Sequence, residues 1–315
     1  MRKTWMQKTL LASLGLGLAL GSNLAQAAIY DRYGSKLPDT DVNSPDVNWE
    51  LLSAETGRTY NGIGSLENSG MGFCTAFLVD TSGDGNAPAY AMTNGHCYDI
   101  PAFPDAKEIV INKSSTMVFK LNYFVNAETR VRPVPVRRVV YATMNGTDIA
   151  ILELNTTFKQ LVSEGFTPLK LDSIPPSMGE PVEVVGVPVG GVEPSRSFLH
   201  RAVCDVGATV NLREDIYQLQ TSIRNRCSVV GGMSGSPMIS RRSNRVVAII
   251  NTAVNDEALS QPECSMNRPC EISSEGRIAT FPDENYAQRV SAVPSCFDRK
   301  GIFNLHLPSC QLEKP

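Results

Sequence analysis

Three short motifs bring together the residue types that nucleophilic acyl transfer needs. In chain order they are Thr93-Asn94-Gly95-His96-Cys97, Asp148-Ile149-Ala150-Ile151-Leu152 and Gly232-Met233-Ser234-Gly235-Ser236-Pro237. A serine hydroxyl is a weak nucleophile at neutral pH, so it needs an imidazole to take its proton and a carboxylate to hold that imidazole in the right tautomer. His96, Asp148 and Ser234 supply these groups, and the sequence predicts a Ser-His-Asp triad.

The glycines around Ser234 predict how the developing negative charge would be stabilised. Gly232 tolerates backbone angles that direct two amide hydrogens, its own and that of Ser234, at one point. Such an oxyanion hole is worth about 2.7 to 4 kcal/mol for each donor. Ser236 is the rival nucleophile, and we favour Ser234 because Gly232 and Gly235 on either side fit a tight nucleophile turn.

The segments that must position these residues are short, rich in β-branched residues and separated by turn residues. This pattern predicts an all-β fold with strands at 72–80, 90–94, 108–111, 119–125, 136–143, 148–154, 182–189, 198–206, 216–221 and 245–254. Gly, Asp and Asn at 81–86 predict that the first two strands form an antiparallel hairpin. One late segment has helical spacing: Asp283 could cap a C-terminal helix that ends at Pro294, with an apolar side made of Tyr286, Ala287, Val290 and Val293.

The first 27 residues predict a secretory signal peptide. They combine basic residues, an apolar run at 10–20 and small residues at Ala25 and Ala27. A membrane anchor is the alternative, but the run is shorter than the ~20 residues that a spanning helix requires. Residues 28–57 are polar and turn-rich, and we expect either a strap or a removable pro-segment. A secreted or periplasmic protein is predicted.

Composition narrows the possible partners. Hydrophobic residues make up 42% of the chain, which is enough for a sizeable core in one large domain or two small ones. The net charge of -3 comes without a run of basic residues, so neither nucleic acid nor an anionic membrane surface is expected as a partner. We expect a monomer that keeps no stable membrane anchor after signal removal.

The eight cysteines point to disulfides rather than to a metal site, since there is no C-x-x-C motif in this exported chain. Local spacing suggests two tight loops in the tail, Cys264 with Cys270 and Cys296 with Cys310. A bond from Cys74 to Cys97 would hold the His96 segment to the adjacent strand, which leaves Cys204 with Cys227. Sequence alone leaves other pairings open. Residues 257–315 are then a disulfide-stapled extension that contains the late helix.

The motifs and their order resemble those of the chymotrypsin (trypsin-like) serine peptidases, of a bacterial secreted type. Subtilisin-type enzymes have the order Asp, His, Ser and the α/β-hydrolases Ser, Asp, His, so the order disfavours both. The resemblance covers about residues 58–256. It implies two six-stranded antiparallel β-barrels, with His96 and Asp148 from the first and Ser234 from the second. It also implies peptide-bond hydrolysis through an acyl-enzyme, with no metal or organic cofactor.

The chain departs from that family at two functional positions. Met233 stands where members activated by a freed N-terminus carry an aspartate, so that activation switch is not expected here. Ser228 stands where members specific for Lys or Arg carry an aspartate in the substrate pocket. With Val229, Thr252 and Ala253 as the other expected pocket residues, an uncharged P1 residue is predicted.

Two other classes of function share these motifs. An esterase or other acyl-transfer enzyme would use the same nucleophile and oxyanion hole, and a binding module could keep the fold with weak catalysis or none. Fold alone does not separate them. His200 and His306 lie outside every motif and are expected to be structural or surface histidines. The sequence favours a secreted serine endopeptidase that acts on a peptide or protein substrate.

Overall fold

The computed structural model describes residues 28–81, 83, 85–98, 103–254 and 258–315. The predicted signal peptide at residues 1–27 lies outside the described residues. Nearly all regular structure in the described part of the chain is β-strand, as the sequence predicts.

Residues 28–51 pack mainly against the second half of the chain, and residues 52–57 contact residues 124–126 of the first half. Strand β1 (Ile29–Tyr30) pairs with β2 (Lys36–Leu37), and β3 (Trp49–Leu51) pairs with residues 200–202. Ile29 and Tyr30 are buried. The amide of Tyr30 donates a hydrogen bond to Ser228 Oγ at 3.0 Å. This segment therefore adds both apolar and polar contacts to the second half of the chain.

The first half of the chain forms a closed antiparallel barrel. Its strands are β4 (Ile63–Asn68), β5 (Met71–Leu78), β6 (Pro88–Thr93), β7 (Ile109–Val110), β8 (Lys113–Ser114), β9 (Val118–Leu121), β10 (Arg132–Thr143) and β11 (Ile149–Thr157). Six of them follow one another around the barrel in the order β11, β6, β5, β4, β9 and β10, and the pairing of β10 with β11 closes it. The predicted antiparallel pairing of the first two strands is confirmed as β5 with β6.

The second half repeats this architecture. Its strands are β12 (Pro181–Gly186), β13 (His200–Glu214), β14 (Tyr217–Asn225), β15 (Pro237–Ser240), β16 (Val246–Thr252), β17 (Cys270–Ile272), β18 (Ile278–Ala279) and β19 (Asn285–Arg289). The order around the barrel is β12, β15, β16, β19, β14 and β13, closed by β12 with β13. The predicted pair of six-stranded barrels is therefore confirmed.

Apolar side chains fill each barrel and the contact between the two barrels. Phe119 and Leu152 are among those inside the first barrel, and Met238 and Val247 among those inside the second. A further cluster joins side chains of both halves, including Phe77, Tyr90, Ile151, Val185 and Ile249. Burial of this shared cluster fixes how the barrels face each other, and any site built from both of them depends on it.

The predicted C-terminal helix is wrong. Residues 285–289 form β19, which lies between β14 and β16 and is buried along most of its length. Its polar residues are satisfied inside the barrel: Asn285 Nδ2 donates to the carbonyls of Ala28 and Cys227 at 3.1 and 2.9 Å. With both faces covered, the apolar residues of this strand need not alternate, and their helical spacing is coincidental.

Besides β19, two barrel strands are absent from the predicted set. Strand β4 is buried on both faces and contains glycine and serine, and β15 is short and begins with proline, so neither shows alternation. Within the described ranges the one α-helix is α1 (Phe158–Ser163), whose start is capped by Thr157 Oγ1 accepting from the amide of Gln160 at 3.2 Å. No helix in the described part of the chain is long and apolar enough to cross a membrane.

Candidate active site

Two neighbouring strands of the first barrel bring His96 and Asp148 together. Strands β6 and β11 are paired, with Thr93 opposite Ala150. His96 lies in the single 3-10 turn that follows β6, and Asp148 immediately precedes β11. Residues that are far apart in the chain therefore meet because their strands are adjacent.

The two residues before His96 allow this close approach. Asn94 Nδ2 donates a hydrogen bond to the carbonyl of Asp148 at 2.9 Å. A Cβ atom at Gly95 would lie 2.0 Å from the carbonyl oxygen of Thr143. Only glycine fits at position 95 without moving that backbone.

His96 and Asp148 share two hydrogen bonds. Asp148 Oδ2 lies 2.7 Å from His96 Nδ1, and Asp148 Oδ1 accepts from the amide of His96 at 2.9 Å. The side chain of Asp148 is 2% exposed and that of His96 16%. Burial lowers the pKa of His96, but the charge and hydrogen bond of Asp148 and the charge of Glu214 outweigh burial, so the pKa is raised. With Nδ1–H directed at Asp148, Nε2 of the neutral ring is left as a base.

Ser234 faces this pair from the second barrel. It lies in the turn before β15 and lines the same cleft as His96 and Asp148. Gly235 has φ +85°, and a Cβ there would lie 2.2 Å from the carbonyl oxygen of Thr75. Ser236 is fully buried, and its Oγ has no hydrogen-bond partner among the described residues. Of the two candidate nucleophiles, the cleft therefore offers Ser234 to a substrate.

The turn before Ser234 contains a glycine in the left-handed region of backbone conformation. Gly232 has φ +92°, and a Cβ there would lie 2.5 Å from a side-chain carbon of Val189. The amides of Gly232 and Ser234 donate to no acceptor within the described ranges. Thr75 of the first barrel holds this turn, since its Oγ1 donates to the carbonyl of Gly232 at 3.0 Å and its amide to the carbonyl of Ser234 at 2.8 Å.

Met233 has an apolar environment. It is fully buried in a cluster that includes Ile29, Val42 and Met238. Its amide donates to the carbonyl of Val230 at 3.0 Å. Apolar packing therefore holds the nucleophile turn at the position where relatives activated by a freed N-terminus have an ion pair.

Both barrels and the C-terminal tail line the cleft. Its residues are His96, Phe103, Met144, Asp148, Glu214, Val230, Gly231, Ser234, Ile250, Asn251, Thr252, Ala253, Met266 and Asn267. The cleft thus joins the three predicted triad residues to a set of apolar side chains and one further carboxylate.

The chain can now be compared with known proteins. The sequence profile of the trypsin-like peptidase domain matches residues 74–249, which is more than half of the chain. The chain belongs to the trypsin-like peptidase family. No curated protein sequence matches this family member.

Solved structures of peptidases are similar to this family member in fold. One is the protease domain of MamO from Magnetospirillum magneticum, at 15% identity and TM-score 0.47, covering 76% of this chain and 97% of that one. Another is neuropsin, a serine protease expressed in the limbic system of mouse brain, at 12% identity and TM-score 0.46, covering 74% and 90%. A third is the thermostable serine protease AL20 from an extremophilic microorganism, at 17% identity and TM-score 0.44, covering 73% and 91%.

The substrate-pocket residues expected from the sequence divide into two pairs in this trypsin-like peptidase. Thr252 and Ala253 line the cleft. Ser228 and Val229 are fully buried and do not line it. Ser228 Oγ forms two hydrogen bonds with the backbone of Tyr30. It accepts from the amide at 3.0 Å and donates to the carbonyl at 3.2 Å. Thr252 and Ala253 therefore line the cleft, whereas Ser228 and Val229 are buried outside its lining, and their part in the substrate pocket stays a prediction.

Glu214, Met266 and Asn267 line the cleft although sequence reasoning did not select them. Glu214 ends β13 at the tip of a long hairpin, and the other two lie in the loop closed by Cys264 and Cys270. No motif surrounds any of the three. The tight cysteine spacing locates the loop in the sequence, but nothing in the sequence places it beside Ser234.

The cysteines of this peptidase form four disulfides: Cys74–Cys97, Cys204–Cys227, Cys264–Cys270 and Cys296–Cys310. They match the two pairs suggested by local spacing, the pair expected to hold the His96 segment and the pair left over. The first holds the turn of His96 to β5. Its sulfurs and a ring nitrogen of His96 all lie within 4.8 Å of one another. Both sulfurs are bonded to each other and are not thiolates, so this group does not fit a metal ion.

The two remaining histidines lie outside the cleft. His200 is buried beside Trp49, with ring centroids 4.7 Å apart, and its Nδ1 lies 2.9 Å from the carbonyl of Phe198. Burial, with a smaller contribution from the charge of Arg196, lowers its pKa to about 4. His306 is exposed in the tail. A comparison of His200 with His96 shows that the carboxylate, rather than burial, gives His96 its raised pKa.

Proposed function

We propose that this member of the trypsin-like peptidase family is a secreted serine endopeptidase. The observation that carries the proposal is that His96, bonded twice to the buried Asp148, lines one cleft together with Ser234. No other serine lines that cleft among the described residues. The arrangement is the one that acyl transfer through a serine nucleophile needs.

The mechanism follows from the proposed roles. Ser234 Oγ attacks the peptide carbonyl while His96 Nε2 takes its proton, and the tetrahedral oxyanion accepts hydrogen bonds from the amides of Gly232 and Ser234. His96 then gives its proton to the leaving amine, which departs and leaves the acyl-enzyme. Water, deprotonated by His96, releases the acyl group and restores Ser234. Asp148 stays ionised and stabilises the imidazolium throughout.

We also propose that the P1 residue of the substrate is uncharged. The position that carries an aspartate in Lys- and Arg-specific relatives is Ser228, and its hydroxyl is bonded to Tyr30. Thr252 and Ala253 supply the neighbouring lining. Neither brings a charge to a side chain that enters beside Ser234.

Secretion and a retained N-terminal segment complete the proposal. Four disulfides are typical of proteins that fold in an oxidising compartment. Residues 28–57 contribute Ile29, Tyr30 and β3 to the second barrel, which favours a strap over a removable pro-segment. We expect the exported protein to begin at Ala28 and to act as a monomer, with residues 58–256 as the peptidase domain and 257–315 as its extension.

One preparation tests the proposal. The exported protein is reacted with a fluorophosphonate probe and incubated with a peptide library, and its N-terminus is sequenced. We expect labelling that Ser234→Ala abolishes and Ser236→Ala retains, and cleavage of peptides after uncharged residues. Ser236→Ala is the matched control, because it removes a hydroxyl two residues from Ser234 that does not line the cleft.

The alternatives predict different results. Absence of labelling would indicate a binding module. Labelling without cleavage of any peptide, together with turnover of simple esters, would indicate an esterase. An N-terminus near Arg58 would show that residues 28–57 are a removable pro-segment.

A further inference from the structure

Glu214 is a buried carboxylate in the cleft that the acyl-transfer mechanism does not use. It is 5% exposed and lines the cleft at the tip of the hairpin formed by β13 and β14. Oε2 accepts from Thr252 Oγ1 and Oε1 from the amide of Asn267, both at 2.7 Å. Thr252 Oγ1 itself accepts from Asn251 Nδ2 at 2.9 Å, so its hydrogen is directed at Glu214. This chain of donors supports an ionised carboxylate.

Glu214 differs from the other buried glutamates in having no basic partner. Four of them form ion pairs with lysine or arginine: Glu67 with Lys120, Glu153 with Arg138, Glu183 with Arg201 and Glu271 with Arg224. Within the described ranges, no lysine or arginine pairs with Glu214. Burial raises its pKa, and a protonated His96 is the one cation that lowers it. A buried charge without a partner is costly unless a ligand supplies one.

Apolar side chains line the cleft around Glu214. Met266 and Asn267 of the Cys264–Cys270 loop line the cleft beside it. Two loops of the first barrel also reach the hairpin that carries Glu214. Tyr217 Oη donates to the carbonyl of Pro104 at 2.9 Å, and the amide of Gln220 donates to the carbonyl of Gly146 at 2.7 Å. Phe103 and Met144, next to these contacts, line the cleft as well. Apolar side chains can therefore cover the aliphatic stem of a lysine or arginine whose head reaches Glu214.

We infer that Glu214 binds a lysine or arginine side chain of the substrate, on the acyl side of the scissile bond and next to the uncharged P1 residue. Glu214, Thr252, Met266 and Asn267 form this Glu214 subsite. A carboxylate can accept about four hydrogen bonds, and Glu214 already accepts two. About two acceptor positions therefore remain for the cation. The inference rests on the proposed function, because it takes the ligand of the cleft to be a peptide.

The test measures binding apart from catalysis. Each pair of peptides has lysine in one member and glutamine in the other at a single position, and the pairs cover every position on the acyl side. Both members are titrated into the Ser234→Ala variant by calorimetry. A charge-assisted hydrogen bond predicts that one lysine peptide binds about tenfold to a hundredfold more tightly than its glutamine match. In Ser234→Ala/Glu214→Gln the ratio should fall to near one. Ser234→Ala/Glu183→Gln is the matched control, since Glu183 is also buried but lies outside the cleft, and it should keep the ratio.

Each result decides the inference. Equal binding of every pair to Ser234→Ala would overturn it, and this arm stands even if Glu214→Gln fails to fold by circular dichroism. A lysine preference that survives Glu214→Gln would overturn it too. Equal weakening of lysine and glutamine peptides by Glu214→Gln would show that Glu214 only positions Thr252 and Asn267, and would also overturn it.

The same design separates this inference from the proposed function. Fluorophosphonate labelling of the wild type reports on the nucleophile, whereas the titrations report on Glu214 in a chain without it. Cleavage of the peptide pairs by the wild type locates the preferred lysine. Cleavage directly after that lysine would show the proposed uncharged P1 to be wrong, while the role of Glu214 would stand at a different position.

Discussion

The cleft has two buried carboxylates with opposite partners. At the reacting end, formed by His96, Asp148 and Ser234, the carboxylate of Asp148 meets an imidazole that becomes a cation during the reaction. At the Glu214 subsite, the carboxylate accepts only neutral donors, Thr252 and the amide of Asn267. The two acids differ little in burial. Their neighbours, rather than their burial, therefore distinguish the two proposed roles: Asp148 orients and stabilises the imidazole of His96, and Glu214 binds a cationic side chain of the substrate.

The strongest way to break this comparison is to neutralise Asp148. In Asp148→Asn the amide can donate to His96, which favours the wrong ring tautomer, and kcat/KM for peptides is expected to fall by about 10⁴-fold. The fluorophosphonate labelling rate should fall in parallel, because it needs the same base. Asp172→Asn, a neutralised aspartate outside the cleft, serves as the control and should retain the wild-type rates. A loss below about tenfold in Asp148→Asn would mean that the two acids do not differ in role.

A smaller effect is expected when the loop beside Glu214 is released. The double variant Cys264→Ser/Cys270→Ser frees the segment that holds Met266 and Asn267 against the cleft. The preference for lysine peptides over glutamine peptides should therefore fall by about tenfold, which corresponds to most of the free energy of one charged hydrogen bond. Fluorophosphonate labelling should be nearly unchanged. The loss of a short disulfide loop should lower the free energy of unfolding by about 2 kcal/mol.

The tail offers a matched pair of cysteines for this experiment. Cys296→Ser/Cys310→Ser removes a disulfide that packs in the cluster between the barrels and does not line the cleft. It should lower the unfolding temperature without changing the lysine preference. If both double variants change the preference alike, the preference reports general loosening of the fold rather than the Glu214 subsite.

The smallest expected effect is an electrostatic link between the two ends. Because the pKa of His96 is raised, its protonated form persists above the ordinary value of about 6.5, and that form cannot act as a base. The value of kcat/KM should therefore rise with pH and reach its midpoint above that value. The charge of Glu214 contributes to the raised pKa, so Glu214→Gln should move the midpoint to lower pH, as measured with glutamine peptides. A midpoint that moves upward would contradict the link.

The sequence predicted the reacting end of the cleft more completely than the Glu214 subsite, for a physical reason. The His96, Asp148 and Ser234 motifs need particular short-range geometry, such as the close approach at Gly95 and the positive φ at Gly232, and these needs show in the adjacent residues. The proposed role of Glu214 requires only a position at the end of a strand, which sets no requirement on the residues next to it in the chain. Its partners Thr252 and Asn267 come from other segments, so no neighbouring residue reveals its position.

The same distinction explains the errors in the fold prediction. Strands with one solvent-facing side, such as β14 with its alternating first residues, are predicted by their pattern. Strand β19 was taken for a helix because it is covered on both faces and its polar residues bond to Ser222, Ala28 and Cys227. The hydroxyl of Ser228, a residue expected in the substrate pocket, bonds to the backbone of Tyr30, which the sequence does not indicate. In each case the deciding partner lies far away in the chain.

By itself, the sequence predicted the all-β class, two tight cysteine pairs in the tail and three residues with the chemistry for acyl transfer. Those features depend on residue type, on alternation and on order along the chain, which are local properties. Closure of the two barrels decided the rest: which serine faces the cleft, which carboxylate lacks a basic partner and which loop of the tail lies beside it. These depend on burial against distant segments, and burial is a property that only the folded chain has.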